Sequence, residues 1–93
     1  SWDQQVLSPL AGVVVGAESH HPDNPLGTVD TAHPVGNFVE IRSAGGLHVF
    51  IAHLRQGSVR VKAGDTLAAG QVLGRCGNSG YSTMPHVHLH VQD

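Results

Sequence analysis

Short apolar runs closed off by glycine or proline dominate this chain, and they decide what it can become. Twelve glycines and five prolines fall among 93 residues. Between them stand runs such as Val13-Val14-Val15 and Gln71-Val72-Leu73, too short for a helix and rich in strand-forming residues. No stretch carries the long 3.6-residue period of an amphipathic helix. The reading is all-β: an antiparallel β-sheet domain with short strands and glycine-rich turns. A chain of this length makes one domain, 1–93, with a modest core.

Taken in order, Val6-Leu7-Ser8-Pro9-Leu10-Ala11-Gly12 is an extended approach and a turn leading into the buried strand Val13-Val14-Val15; the first five residues carry little signal. From 18 to 36 the pattern stops, because Pro22, Pro25, Pro34 and Gly27 leave no room for a regular element. Structureless spans above roughly 12–15 residues in small domains tend to line a site, cover it or move. Residues 37–43 and 47–54 then read as an antiparallel hairpin across Ala44-Gly45-Gly46. Alternation puts Val39 and Ile41 on one face of the first strand, and Leu47, Val49, Ile51 and His53 on one face of the second. His53 thus ends an apolar row, where it is either a satisfied core-edge residue or a functional one. Val59-Arg60-Val61, Thr66-Leu67 and Gln71-Val72-Leu73-Gly74 follow as short runs between tight turns. Gly64 and Gly70 suit positive φ. Turn geometry alone accounts for the glycines here and in Gly77-Asn78-Ser79-Gly80.

Composition excludes several classes of partner. Charged residues make up 13% of the chain and the net charge is −2, so neither a basic nucleic-acid surface nor a polybasic membrane patch is expected. No apolar run reaches membrane-spanning length, and no charged segment followed by an apolar one forms a secretory signal. The chain begins at Ser1 without an initiator methionine, as expected of a processed form or a piece of something longer. Cys76 is the only cysteine, which rules out an intrachain disulfide and a cysteine zinc cluster; it reads as a small packed side chain.

The densest chemistry lies in Pro85-His86-Val87-His88-Leu89-His90-Val91. As a strand, it puts His86, His88 and His90 on one side and Val87, Leu89 and Val91 on the other, with the valines and the leucine in the core. A row of imidazoles holds a metal, moves protons, or does both. The blander alternative is a polar strand face rich in histidine.

Together these blocks resemble the lysostaphin-type, or LytM-like, zinc metallopeptidases. The resemblance rests on Ala52-His53-Leu54, on Val61-Lys62-Ala63-Gly64-Asp65 with Ala69-Gly70-Gln71-Val72-Leu73-Gly74, on Gly77-Asn78-Ser79-Gly80 and on Pro85-His86-Val87-His88, in the family's order from Ser8 onward. It implies a fold of the duplicated-hybrid or barrel-sandwich type, an extracytoplasmic location, and zinc-dependent cleavage of peptide bonds in bacterial cell-wall peptidoglycan. It also implies roles: His88 as the family's last zinc ligand, and His53 and His86 as the non-ligand histidines that act on the water and the oxyanion. His90 departs from the pattern, which often has an acidic residue there, and receives no role. The family's other two ligands, a histidine and an aspartate on an upstream segment, have no counterpart before Ser8, and Asp3 is not in a His-x-x-x-Asp element. The expectation is therefore the C-terminal part of a catalytic domain, binding zinc weakly or not at all by itself. His20-His21-Pro22-Asp23 aligns with a variable loop rather than with the metal strand, so it is not read as a substitute.

Two other classes compete. One is a non-catalytic relative that binds cell wall or regulates another hydrolase. The other is a carrier or phosphotransfer β domain, against which stands Lys62, the only lysine, which is not on an exposed hairpin tip.

Overall fold

The structure, a computed structural model, describes residues 2–23, 36–77 and 88–92. Every regular element among them is a strand: β1 (Gln5–Leu7), β2 (Gly12–Glu18), β3 (Asn37–Arg42), β4 (His48–Leu54), β5 (Thr66–Leu67), β6 (Val72–Arg75) and β7 (His88–Gln92). Five of them pair antiparallel in the order β5-β2-β3-β4-β7, while β1 and β6 form a separate antiparallel ribbon. The all-β antiparallel architecture expected from the sequence is the one observed. No helix among the described residues is long and apolar enough to cross a membrane.

The β3–β4 hairpin forms the centre because its period-2 pattern has one strongly apolar face. Val39 and Ile41 are fully buried, and they pair with Ile51 and Val49. Full burial of each such side chain is worth about 1.5–3 kcal/mol. The opposite face is mixed: the Phe38 and Phe50 rings lie 6.2 Å apart, and His48 Nδ1 meets Glu40 Oε2 at 2.8 Å. The turn takes one residue more from each strand than expected. Ser43 N–H donates to the Leu47 carbonyl (2.9 Å), and Gly46, at φ +89°, donates to Ser43 O (3.0 Å). Leu47 is consequently in the turn and 43% exposed, outside the apolar row that alternation assigned to it.

The ribbon closes the core from a second side. Leu73 of β6 is fully buried in one cluster with Val14, Val39, Ile41, Ile51, Leu54 and Leu67, and Val6 of β1 packs against it. A backbone bridge between Leu54 and Cys76 joins β6 to the end of β4. Cys76 is buried there, as its reading as a packed side chain required. Val59–Val61 is not a strand; it follows the ribbon through a hydrogen bond from Arg60 N to Leu73 O (2.8 Å). On the other flank of β4, Leu89 is in register with Ile51 and Val91 with Val49. The side chains of Leu89 and Val91, and all of Val87, lie outside the described residues, as do residues 24–35 of the loop expected over 18–36.

Gly64 and Gly70 have φ of +96° and +87°, as their turn positions demanded. In the first of these turns the Lys62 backbone N–H donates to Asp65 Oδ2 (2.9 Å). This hydrogen bond, with a smaller contribution from the Lys62 charge, holds the Asp65 carboxyl below its ordinary pKa. A carboxylate depressed in the folded state stabilises the fold above its unfolded pKa and ceases to do so as pH falls through the folded one. Asp65→Asn should therefore lower the melting temperature slightly at neutral pH and flatten its decline on acidification below the usual carboxylate range. Parallel acid-titration melts of the two proteins measure this.

Candidate active site

His53 does not end a regular apolar row. Val39 pairs with Ile51, yet Asn37 pairs with Leu54, so β4 spends three residue steps where β3 spends two. Ala52 and His53 together oppose Phe38, which makes a β-bulge. His53 takes the left-handed conformation within it, at φ +60°. Strict alternation therefore stops at Ile51, and Ala52, His53 and Leu54 are buried in succession (3%, 4% and 0% exposed). A non-glycine residue in this region costs about 1–2 kcal/mol, so its surroundings must impose the geometry.

Those surroundings are hydrogen bonds on either side of the bulge. Asn37 Nδ2 donates to the Leu54 carbonyl (3.0 Å), the Gly77 N–H donates to the His53 carbonyl (3.1 Å), and Arg55 N–H donates to Arg75 O (2.9 Å). Gly77 can make its bond only because it has no side chain: a Cβ there would collide with the Arg55 backbone and the Asp23 carboxylate. Turn geometry, the reading given to the glycines of Gly77-Asn78-Ser79-Gly80, is thus not what Gly77 is for. Close approach of two backbones is.

The strand β7 runs beside this bulge. His88 is the register partner of Ala52, one residue before His53, and His90 that of Phe50. Two of the three expected site histidines thus occupy neighbouring positions on adjacent strands. The third, His86, lies outside the described residues, and so does the side chain of His88.

Next to the bulge sits a charged anchor with no sequence signal. Asp3, at φ +64°, accepts a hydrogen bond from Arg55 Nη1 through its carboxylate and another from Arg75 Nη1 through its carbonyl (2.8 Å). Its own N–H donates to Cys76 O (2.7 Å). The ion pair is half-exposed on both sides, so its electrostatic contribution is modest. Its effect is positional, holding the first residues of the chain two positions beyond His53. Asn37 was also overlooked, although an asparagine opening an otherwise apolar strand is a visible oddity.

The His20-His21-Pro22-Asp23 segment divides. Asp23 takes the Gln56 N–H (2.8 Å), whereas Glu18, His20 and His21 bring their donor atoms within 4.8 Å of one another. Glu18 was not part of the group considered from sequence.

The scaffold and its histidine-bearing strand ends define a small antiparallel β domain built around the end of a central strand. The sequence profile of peptidase family M23 matches residues 1–93, and the chain belongs to that family. Endolysin 2638A of Staphylococcus phage 2638A is 41% identical over 70 residues, which is 71% of this chain and 14% of the endolysin. The glycyl-glycine endopeptidase ALE-1 of Staphylococcus capitis is 41% identical over 55 residues, 58% of this chain and 15% of that protein. The catalytic domain of lysostaphin from Staphylococcus simulans superposes with a TM-score of 0.78 at 26% identity, covering 99% of this chain and 60% of that domain. The chain thus spans about one seventh of the curated relatives it matches. These likenesses agree with the lysostaphin-type resemblance and with the fold it implied.

Two substitutions test the bulge. Gly77→Ala should cost about 1–3 kcal/mol, the usual cost of forcing atoms into a packed site, measured by denaturant unfolding. His53→Gly and His53→Ala both remove the imidazole, but only glycine relieves the left-handed backbone. The glycine variant should be the more stable by about 0.5–1 kcal/mol, after the extra chain entropy of glycine is set against the relief of strain. A glycine variant less stable than the alanine variant would mean that the bulge carries no strain worth the entropy of glycine.

Proposed function

We propose that this domain forms part of a zinc-dependent endopeptidase that hydrolyses peptide bonds in bacterial cell-wall peptidoglycan, and that it works outside the cytoplasm, where that substrate lies. The observation that carries the reading is the bulge: a histidine held in a costly backbone conformation, one residue from the register partner of a second histidine, in a member of a peptidase family. Strain of this kind is kept where it positions a working group. The names of the relatives, an endolysin and a glycyl-glycine endopeptidase, support cell-wall peptide as the substrate class.

In this reading His88 is the zinc ligand from this chain, and the histidine and aspartate that complete a three-ligand site come from a preceding segment. Imidazole is a donor that suits zinc. Asp3, fastened to Arg55 and Arg75, brings any such segment in beside the end of β4. Zinc, when bound, lowers the pKa of its water and polarises the scissile carbonyl. The imidazoles of His53 and His86 share the remaining work: taking a proton from the attacking water and passing it toward the leaving amine is one part of it. Donating a hydrogen bond to the carbonyl oxygen as negative charge develops there is the other.

The test uses the enzyme with its preceding segment. His88→Ala should lose both zinc and hydrolysis. His53→Ala and His86→Ala should keep near-normal zinc while turnover falls by ~10²–10⁴, the usual contribution of a general acid–base group. Metal analysis beside hydrolysis of peptidoglycan or an oligoglycine decides the matter. A His86→Ala protein that comes without metal would make His86 a ligand, and full activity in all three variants would end the proposal.

A further inference from the structure

We propose that Glu18, His20 and His21 form a second metal site, for a divalent cation of the zinc type, separate from the site assigned to His53, His86 and His88. The donor set is a carboxylate and two imidazoles, a combination that binds zinc in other proteins. One oxygen of Glu18, one nitrogen of His20 and one of His21 lie within 4.8 Å of one another. His21 Nε2 is already 2.6 Å from Glu18 Oε1, and the His20 and His21 rings are 4.1 Å apart between centroids. Tetrahedral zinc with bonds near 2.0–2.1 Å sets its ligand atoms about 3.3 Å from each other. The Glu18–His21 pair must open slightly and His20 must swing inward, both within the reach of side-chain rotation.

What distinguishes this group from a chance cluster is its support. His21 is 94% buried by its 6% exposure, and Asn37 clamps its backbone from both sides: His21 N–H donates to Asn37 Oδ1 and Asn37 Nδ2 donates to the His21 carbonyl, each at 2.7 Å. Ser19 accepts the Gly57 N–H on its carbonyl (2.7 Å) and the Val59 N–H on its hydroxyl (3.2 Å). His20 O accepts from Gln56 Nε2 (3.1 Å). Residues 19–21 follow β2 without being a strand, yet Asn37, Gly57 and Gln56 fix their backbone and Val59 holds the Ser19 side chain. The ligands are therefore one rigid imidazole and two adjustable side chains, since Glu18 is 43% exposed and His20 is exposed. A held backbone that presents a carboxylate and two imidazoles close together is what a metal needs to bind at low ordering cost.

The test titrates residues 1–93, for which His88 alone implies weak or no zinc binding whereas the second site implies one equivalent, with zinc and with cobalt as a spectroscopic probe. A variant carrying His53→Gly, His86→Ala and His88→Ala, which removes the histidines of the proposed catalytic site, should still bind one equivalent and still melt higher when zinc is added. Glu18→Gln with His20→Ala changes two solvent-accessible side chains and leaves buried His21 in place. Its affinity should fall by more than the roughly 10–100-fold that losing an outer-shell partner costs, and the zinc-induced rise in melting temperature should disappear. Binding unchanged by Glu18→Gln with His20→Ala, or binding lost with the three catalytic-site histidines, would overturn the second site. Neither result bears on the peptidase reading, which is decided by hydrolysis.

Discussion

A single buried carboxamide holds together the end of the molecule that carries His53. Asn37 is fully buried, and its side chain reaches His21 by two hydrogen bonds and Leu54 by a third. It thereby connects the segment that follows β2, the start of β3 and the end of β4. Leaving such groups buried without a partner costs about 1–3 kcal/mol each, so the three segments must meet in one arrangement or lose stability together. Apolar packing fixes the hairpin elsewhere but does not distinguish one hydrogen-bonding register from the next at the strand end. The carboxamide does, and the bulge that carries His53 immediately precedes Leu54, the β4 residue whose carbonyl it binds.

Much of the fold was legible because it follows from local chemistry. The hairpin over 37–54 showed in its two-residue period and its Gly45-Gly46 turn, and the turns at Gly64 and Gly70 in the need for positive φ. The strand character of the histidine-rich segment was visible in its alternation and returns as β7. What escaped were features set by distant partners. Asp3 meets Arg55 and Arg75 across separations of 52 and 72 residues, and no local pattern announces that. The bulge escaped for another reason: alternation assumes a constant register, and the usual marker of a left-handed residue in a strand is glycine, which His53 is not.

The candidate site was legible mainly as a resemblance. His53 stood out by motif, but alternation, which placed it on the apolar row, fails beyond Ile51. Gly77 was visible as a glycine and misread as turn chemistry, because a sequence does not show that another backbone passes within contact distance. Glu18 was missed since its partners His20 and His21 sit past the end of the strand, where helix and strand periodicities no longer say which side chains converge.

The left-handed backbone at His53 has an evolutionary consequence. Whatever residue occupies that position inherits a conformation that suits glycine, asparagine or aspartate better than most side chains. With the catalytic role proposed for it, histidine persists there only while selection for chemistry outweighs the cost of its backbone. In a lineage released from that demand, drift should run toward those three residues rather than toward the β-branched ones that a central strand otherwise favours. On the proposed role, the identity of this one residue across a set of relatives becomes a marker of which of them still work as enzymes.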